Sequence, residues 1–360
     1  MRTSIRWILL IMLALPGSAW AGAGDVLPSL EGLTSEQRHE RLVEGAKKEG
    51  QVMLYSSSGR STIKAVTKAF GKKYPFLNVQ FLKKGGSSLF KVILLEQQGG
   101  QNLADVFWAG STTVGPLLKE TKVLMRYVSP ESKAIADTFK DKDGLWTGTR
   151  VSVPGFVYHK GKVPKDKVPT SYQDLLDPFW KGNMSADTNR GRATVALVEG
   201  MGWERADEFQ RKLAAQDMRL QRGRTKRMQL VLAGESLGTF DVNADGVADK
   251  IKKGAPLEYV LLAPTVLSVT SVAMPGNSPH PHAALLLYDY IISAEGQKVL
   301  AGARNVPVRD GVPTKDKELA RRYAELRKSG KFVVQSPGNY DPDVEDRYDR
   351  MYIKNVVRKQ

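Results

Sequence analysis

The feature that most constrains this chain is a recurring unit: a short apolar run, a turn of Gly, Ser and Thr, then an amphipathic helix. Gln51-Val-Met-Leu-Tyr-Ser56 reads as a buried strand and Ser57-Ser-Gly-Arg-Ser61 as a turn. Ile63, Val66, Ala69 and Phe70 then lie on one face of a helix that ends before Tyr74-Pro75. The unit recurs as a strand over 78–82, a turn over 84–88 and a helix over 89–98. It recurs again as a strand over 105–109, the turn Gly110-Ser-Thr112 and a short helix over 114–119. Upstream, Thr34 and Gln37 have capping-box spacing, opening a helix that runs to about Lys48 and stops at Gly50. Alternation of strand and helix predicts an α/β fold with mainly parallel sheets and helices on their faces. Each strand end meets its turn just before a helix, the edge at which open α/β sheets bind ligands.

A second series follows Val151-Ser-Val-Pro-Gly-Phe-Val-Tyr158. A strand is expected over 181–185, the turn Asp187-Thr-Asn-Arg-Gly-Arg192, and helices over 193–201 and 203–215. A strand over 218–221 and the turn Arg222-Gly-Arg-Thr225 lead into a helix ending near Gly234. Strands over 237–242 and 257–262, an apolar run over 266–273 and a helix over 280–293 complete the pattern. Two series suit the length, since single cores stop growing near about 250–300 residues.

At the N-terminus, Arg2 and Arg6 precede an apolar run from Trp7 to Leu15, Pro16-Gly17 break it, and Ala19-Trp-Ala21 has the small-x-small pattern of a cleavage site. The run is shorter than the ~20 residues of a spanning helix. Residues 1–21 are therefore expected to be a signal peptide, with cleavage near Ala21 and a soluble mature protein in the periplasm. The chain has no cysteine, which excludes disulfides, thiolate metal sites, cysteine nucleophiles and a lipid-attachment cysteine. The leader holds Arg2 and Arg6 and no acid, so the formal net charge of +16 becomes +14 without it. Such an excess favours anionic partners. The basic residues are scattered and no nucleic-acid motif is present, so a small anion is expected in place of nucleic acid.

Four segments in this order resemble the type 2 periplasmic solute-binding proteins of ABC importers, nearest to their ferric-iron-binding-like branch. They are Gln51-Val-Met-Leu-Tyr-Ser-Ser-Ser-Gly, Ala104-Asp-Val-Phe-Trp, Lys253-Gly-Ala-Pro-Leu-Glu-Tyr, and Asn277-Ser-Pro-His-Pro-His-Ala-Ala followed by Ser293-Ala-Glu-Gly-Gln. The resemblance runs from about Gln51 to Val308. It implies two Rossmann-like lobes joined by two crossover strands, with the ligand between them. Lobe one would be 25–150 plus 266–360, and lobe two 151–265. It also implies a monomer that hands its solute to an inner-membrane ABC permease, without cofactor or catalysis. Iron-binding members carry adjacent tyrosines shortly before the segment matched by Lys253-Gly-Ala-Pro. Those positions fall at about Asp245 and Gly246, and no tyrosine lies between Tyr172 and Tyr259. The departure favours a phosphonate, a sugar phosphate or a carboxylate. Ferric iron held by non-tyrosine ligands, and an exported hydrolase, are the alternatives.

The strand-end turns supply the candidate binding residues. A helix start offers free N–H groups and partial positive charge. Ser57, Ser58 and Ser61 add hydroxyls at the first turn, Ser87 and Ser88 at the second, and Ser111 and Thr112 at the third. The competing role for these residues is ordinary N-capping. In the second series Thr188, Asn189, Arg190, Arg192 and Thr194 flank one helix start, and Arg222, Arg224 and Thr225 another. Arginine grips carboxylate or phosphate with two parallel bonds. Arg60 and Arg150 are further candidates, and Tyr55, Trp108 and Trp146 could wall a cleft or fill a core.

Other motifs fall away on context. Gly234-Glu-Ser-Leu-Gly238 matches a hydrolase elbow, but a helix precedes it and a strand follows, the reverse of what the elbow needs. Asp241-Val-Asn-Ala-Asp-Gly246 matches half of an EF-hand loop, but Lys252 stands where the bidentate Glu belongs. A turn carrying carboxylates is expected there. His280 and His282 lie at a Pro-rich helix entry without a third metal ligand in sight.

Overall fold

The computed structural model describes residues 26–120, 123–189 and 191–358. The expected leader and Arg190 lie outside the described residues. Among those described, no helix is long and apolar enough to cross a membrane.

The chain begins with α1 (Ser35–Glu49), β1 (Gln51–Ser56), α2 (Arg60–Lys73), β2 (Asn78–Lys83), α3 (Gly86–Gln98), β3 (Val106–Gly110), α4 (Ser111–Leu117) and β4 (Leu124–Met125). Strands β5 (Thr147–Ser152) and β6 (Pro154–His159) follow, separated by Val153 alone. Next come β7 (Met184–Ala186), α5 (Arg192–Met201), α6 (Trp203–Ala214), β8 (Arg219–Leu220), α7 (Arg224–Ala233), β9 (Gly238–Asn243), α8 (Ala244–Lys252) and β10 (Leu257–Val260). The remainder is β11 (Thr265–Pro275), α9 (Pro281–Ile292), α10 (Ala294–Gly302), β12 (Val306–Pro307), α11 (Lys317–Ser329), β13 (Phe332–Gln335) and α12 (Pro342–Tyr352), ending in a π turn at Ile353–Val357.

These strands form two sheets. One has the order β12-β5-β11-β3-β1-β2, with β13 and β4 also paired to β11. The other runs β10-β6-β9-β7-β8. Both sheets are mixed. β1 pairs parallel with β2 and β3, and β7 pairs parallel with β8 and β9, as strand–helix alternation requires. Antiparallel pairing enters where β5 and β11 join the first sheet and β6 and β10 the second. The chain passes from one sheet to the other through β5–β6 and returns through β10–β11, so two crossovers connect the lobes.

Local chemistry accounts for the element ends. Thr34 and Gln37 exchange capping-box hydrogen bonds at 3.2 and 3.0 Å, and Gly50, at φ 68°, closes α1. α8 departs from the expected carboxylate turn. Val247, Ala248 and Ile251 recur at helical spacing, and the first two are buried, so the half EF-hand is a strand end running into a helix.

The first core gathers Leu54, Phe70, Trp108, Leu267 and Ile291 around the larger sheet. The second gathers Phe156, Trp180, Leu197, Phe209 and Leu213. Fully burying such a side chain contributes about 1.5–3 kcal/mol. The aromatic candidates belong to the interior. Tyr55 is buried and donates to Glu96, Trp108 donates to Thr149, and Trp146 is buried. The division of lobes expected above places 266–360 together, but Tyr348, Met351, Tyr352 and Val356 join the second core.

His280 and His282 are explained as helix entry. The buried Asp105 accepts from the His280 amide at 2.8 Å and from Ser278 Oγ at 2.7 Å, and its other oxygen lies 2.9 Å from His280 Nδ1. Glu49 does the same for His282 and Ala283. The hydrogen bond that Asp105 accepts from the ring raises the His280 pKa above 6.5. The folded state therefore binds that proton more tightly than the unfolded chain. The resulting stabilisation is complete below the ordinary histidine value and is lost as pH rises through the raised one. Urea denaturation at about pH 5.5 and about pH 8.5 checks this: the stability advantage over His280→Gln should be larger at the lower pH.

Candidate functional site

A cleft of about 370 Å³ lies where the two sheets' strand ends face each other. Gly110, Ser111 and Thr112, at the end of β3, form its first wall. The second wall comes from Asp187, Asn189, Gly191, Arg192, Arg224 and Asp241. Ser152 of β5 and Ser268, Val269 and Thr270 of β11 form the floor between the lobes, and Gln335 and Glu345 close one side.

The helix starts in these turns are not capped by side chains. Gly59, Gly85, Gly110, Gly191 and Gly223 occupy the N-cap positions of α2, α3, α4, α5 and α7, and none has a side-chain cap. The Ser and Thr residues beside them therefore do not perform the ordinary capping role. At α5 an internal carboxylate takes that place. Asp241 accepts from the Arg192 amide at 2.8 Å and from Arg192 Nε at 2.7 Å.

The arginines are the distinctive feature. Arg192 Nη2 and Arg224 Nη1 both donate to one neutral atom, Asn243 Oδ1, at 2.6 and 3.0 Å. Asn243 thus holds two like charges side by side without neutralising either. Burial lowers the Arg224 pKa, and the Arg192 charge lowers it further against the pull of Asp241. Arg150 of β5 lies beside the cleft-lining Ser152, and its Nη1 and Nη2 make long contacts to Ser152 and Ser58 at 3.4 and 3.5 Å. Its Nε is sealed from solvent with no hydrogen-bond partner among the described residues. Burial lowers the Arg150 pKa, Asp245 opposes that shift, and Arg192 and Arg224 add repulsion that lowers it further. Asp245, in the first turn of α8, is itself pushed up by burial despite Arg150 and Arg192. Positive charge in this region is therefore incompletely balanced.

Arg227 is different. It is 1% exposed. It pairs with Asp187 and also donates to Thr239 Oγ1, Gln221 O and Phe240 O at 3.2, 3.3 and 3.3 Å. Burial opposes ionisation of Asp187, but the Asn189 amide and Arg227 outweigh it and hold that carboxyl below its usual range. This pair braces the turn that carries Asn189 and Arg192.

Of the residues expected from sequence, Ser111, Thr112, Asn189, Arg192 and Arg224 share the cleft. The others are placed elsewhere. Ser57 Oγ accepts from the Gly110 amide at 3.2 Å, so it pins one strand-end turn to the next. Ser58 is buried; its amide donates to Ser56 Oγ and its hydroxyl accepts from Arg150. Ser61, Ser87, Ser88 and Thr225 are exposed outside the cleft lining, and Thr188 is half-buried. Thr194 is a packing residue: it is buried and accepts from Gln210 Nε2 at 2.9 Å between α5 and α6. Arg190 lies outside the described residues. The sequence reading missed Arg227, Asp241 and Asn243 as parts of the site and ranked Arg150 low. Asp241 and Asn243 were visible only as fragments of a calcium motif.

The family described as bacterial extracellular solute-binding protein matches residues 101–328. The Fe(3+)-binding periplasmic protein of Serratia marcescens is 21% identical over 258 residues, covering 69% of this chain and 75% of the relative. The periplasmic binding protein AfuA from Actinobacillus pleuropneumoniae, solved with exogenous fructose-6-phosphate bound, has a TM-score of 0.69 at 22% identity over 86% of this chain and 99% of that one. Iron-bound HitA from Pseudomonas aeruginosa has a TM-score of 0.66 at 21% identity, over 78% of this chain and 99% of HitA. Two lobes, two crossovers and a cleft between strand ends agree with these matches. The chain therefore belongs to the bacterial extracellular solute-binding proteins, and its fold is that of the solved periplasmic binding proteins it resembles.

Proposed function

We propose that this protein captures a small organic or phosphorus-containing anion in the interlobe cleft and delivers it to an inner-membrane ABC permease. The observation that carries this reading is the convergence of Arg192 and Arg224 on the neutral Asn243 oxygen, within the field of Arg150. An anion placed against these guanidinium groups relieves their repulsion and supplies acceptors to donors that are long or unmatched. Ser111, Thr112 and Asn189 add polar contacts from the facing wall and the turn. Phosphonates, sugar phosphates and carboxylates fit this donor set.

Capture works by population shift. An anion touching both walls binds the closed arrangement better than the open one, and only that difference drives closure. The working compartment is the periplasm, with the leader removed near Ala21. The lobes divide as 25–150 plus 266–360 and 151–265, except that the last helix packs on the second lobe.

Thermal and urea denaturation with a panel of phosphonates, sugar phosphates and carboxylates tests the reading. The cognate class should stabilise by about 2.7 kcal/mol at a hundredfold excess over its dissociation constant. The effect should shrink as salt rises, since screening weakens exposed charge contacts. A flat response across the panel, together with stoichiometric iron in the purified protein, would replace the anion with a ferric cargo, as the names of several relatives suggest.

A further inference from the structure

We propose that residues 332–357 form a strap that ties the two lobes together along one side of the cleft, completes the binding site, and holds it near its closed form before any ligand arrives. This goes beyond the anion reading and does not depend on it. The family match ends at residue 328, short of this segment.

The strap is anchored at three places. First, β13 pairs in parallel with the start of the crossover strand β11, from Thr265–Phe332 to Ser268–Gln335. Ser268 Oγ donates to Gln335 Oε1 at 3.1 Å, and Gln335 Nε2 donates to Glu345 at 3.0 Å, which carries the link across to α12. Second, the turn at Pro337–Asn339 and Tyr340 press on the first lobe. A Cβ at Gly115 of α4 would overlap Tyr340. Third, the end of the chain is fixed to the second lobe. Tyr348 stacks on Trp203 with centroids 4.9 Å apart and an interplanar angle of 18°. Its hydroxyl donates to Glu199 at 2.5 Å, and Asn355 Nδ2 donates to Asp207 at 2.7 Å. The Tyr352 hydroxyl donates to the Asp187 carbonyl at 2.6 Å, in the turn that carries the Arg227 pair.

Little slack separates the second and third anchors. Asp341 caps α12 and Pro342 opens it, so Tyr340 and Tyr348 are joined by nearly two turns of capped helix. Opening the cleft on this side requires stretching that link or releasing an anchor. A partly open population multiplies a ligand's affinity by the closed fraction, so loosening the strap should weaken whatever solute binds.

The absence of native cysteine makes the test direct. Spin labels at Lys64→Cys on α2 and Gln229→Cys on α7, both exposed, report the interlobe distance in the ligand-free protein. The native background should give one narrow distribution. Gly115→Ala, which suits a helix but displaces Tyr340, and Trp203→Ala, which removes the stacking partner, should each broaden it toward longer distances. Unchanged distributions in folded variants overturn the proposal. Hydrogen exchange of the native protein gives a second readout. Amides of α12 should be protected together with those of α5, and fast independent exchange of α12 overturns the proposal even if a variant fails to fold.

Discussion

Arg150→Met is expected to weaken binding of the captured anion by about 2–5 kcal/mol, thirtyfold or more, while leaving the ligand-free protein as stable as before or more stable. The two effects have opposite signs for one reason. Beside the cleft the Arg150 guanidinium has an orphaned, sealed Nε, long contacts to two serines, and repulsion from Arg192 and Arg224 set against the attraction of Asp245. Replacing an ill-matched buried charge with an apolar side chain of similar length removes a desolvation cost and a repulsion. An anion reverses this, because it supplies the counter-charge. Isothermal titration with the anion class found in the stability panel, beside urea denaturation of both proteins without ligand, measures the pair of effects. A destabilised Arg150→Met protein that binds normally would make Arg150 structural.

Arg227→Ala should show the contrary pattern, a loss of about 3–5 kcal/mol of folding stability. Every nitrogen of this guanidinium donates: Nε to Thr239, Nη1 to Asp187 and Gln221, and Nη2 to Phe240. Truncation leaves two carbonyls without these donors, a carboxylate without its cation, and a cavity the size of the lost side chain. The change should appear as a lower urea midpoint with an unchanged slope. Because Asp187 braces the turn before Arg192, ligand affinity should fall as well. It should recover in part in Arg227→Lys, which restores the charge without the planar fork.

The two arginines lie in similar sequence surroundings. Arg224 and Arg227 are three residues apart at one helix start and both line the cleft, but Arg224 is exposed and Arg227 is buried. Periodicity along 224–233 places Arg227 on the face shared with Met228 and Val231, which is the inward face. A stricter count of that helix would have marked Arg227 as buried, hence as paired. Thr194 follows the same logic, being inside a run of buried positions from Thr194 to Val198. Asn243 carried no such signal. Its role depends on two guanidinium groups from different helices reaching one atom.

The strand-end turns were legible because local chemistry makes them. Glycine at each N-cap position, short apolar strands and helical spacing of apolar residues act within a few residues of one another, and together they specify an α/β chain with helix starts at strand ends. What the tertiary structure alone decided is the pairing of charge. Arg192 finds Asp241 and Asn243 49 and 51 residues away, Arg227 finds Asp187 40 residues away, and Tyr352 reaches back 165 residues to the same turn. Electrostatic energy depends on distance in space and on access to water, and neither is written in residue order. The sequence therefore named the arginines, and only folding determined which are neutralised and which keep charge that is incompletely balanced.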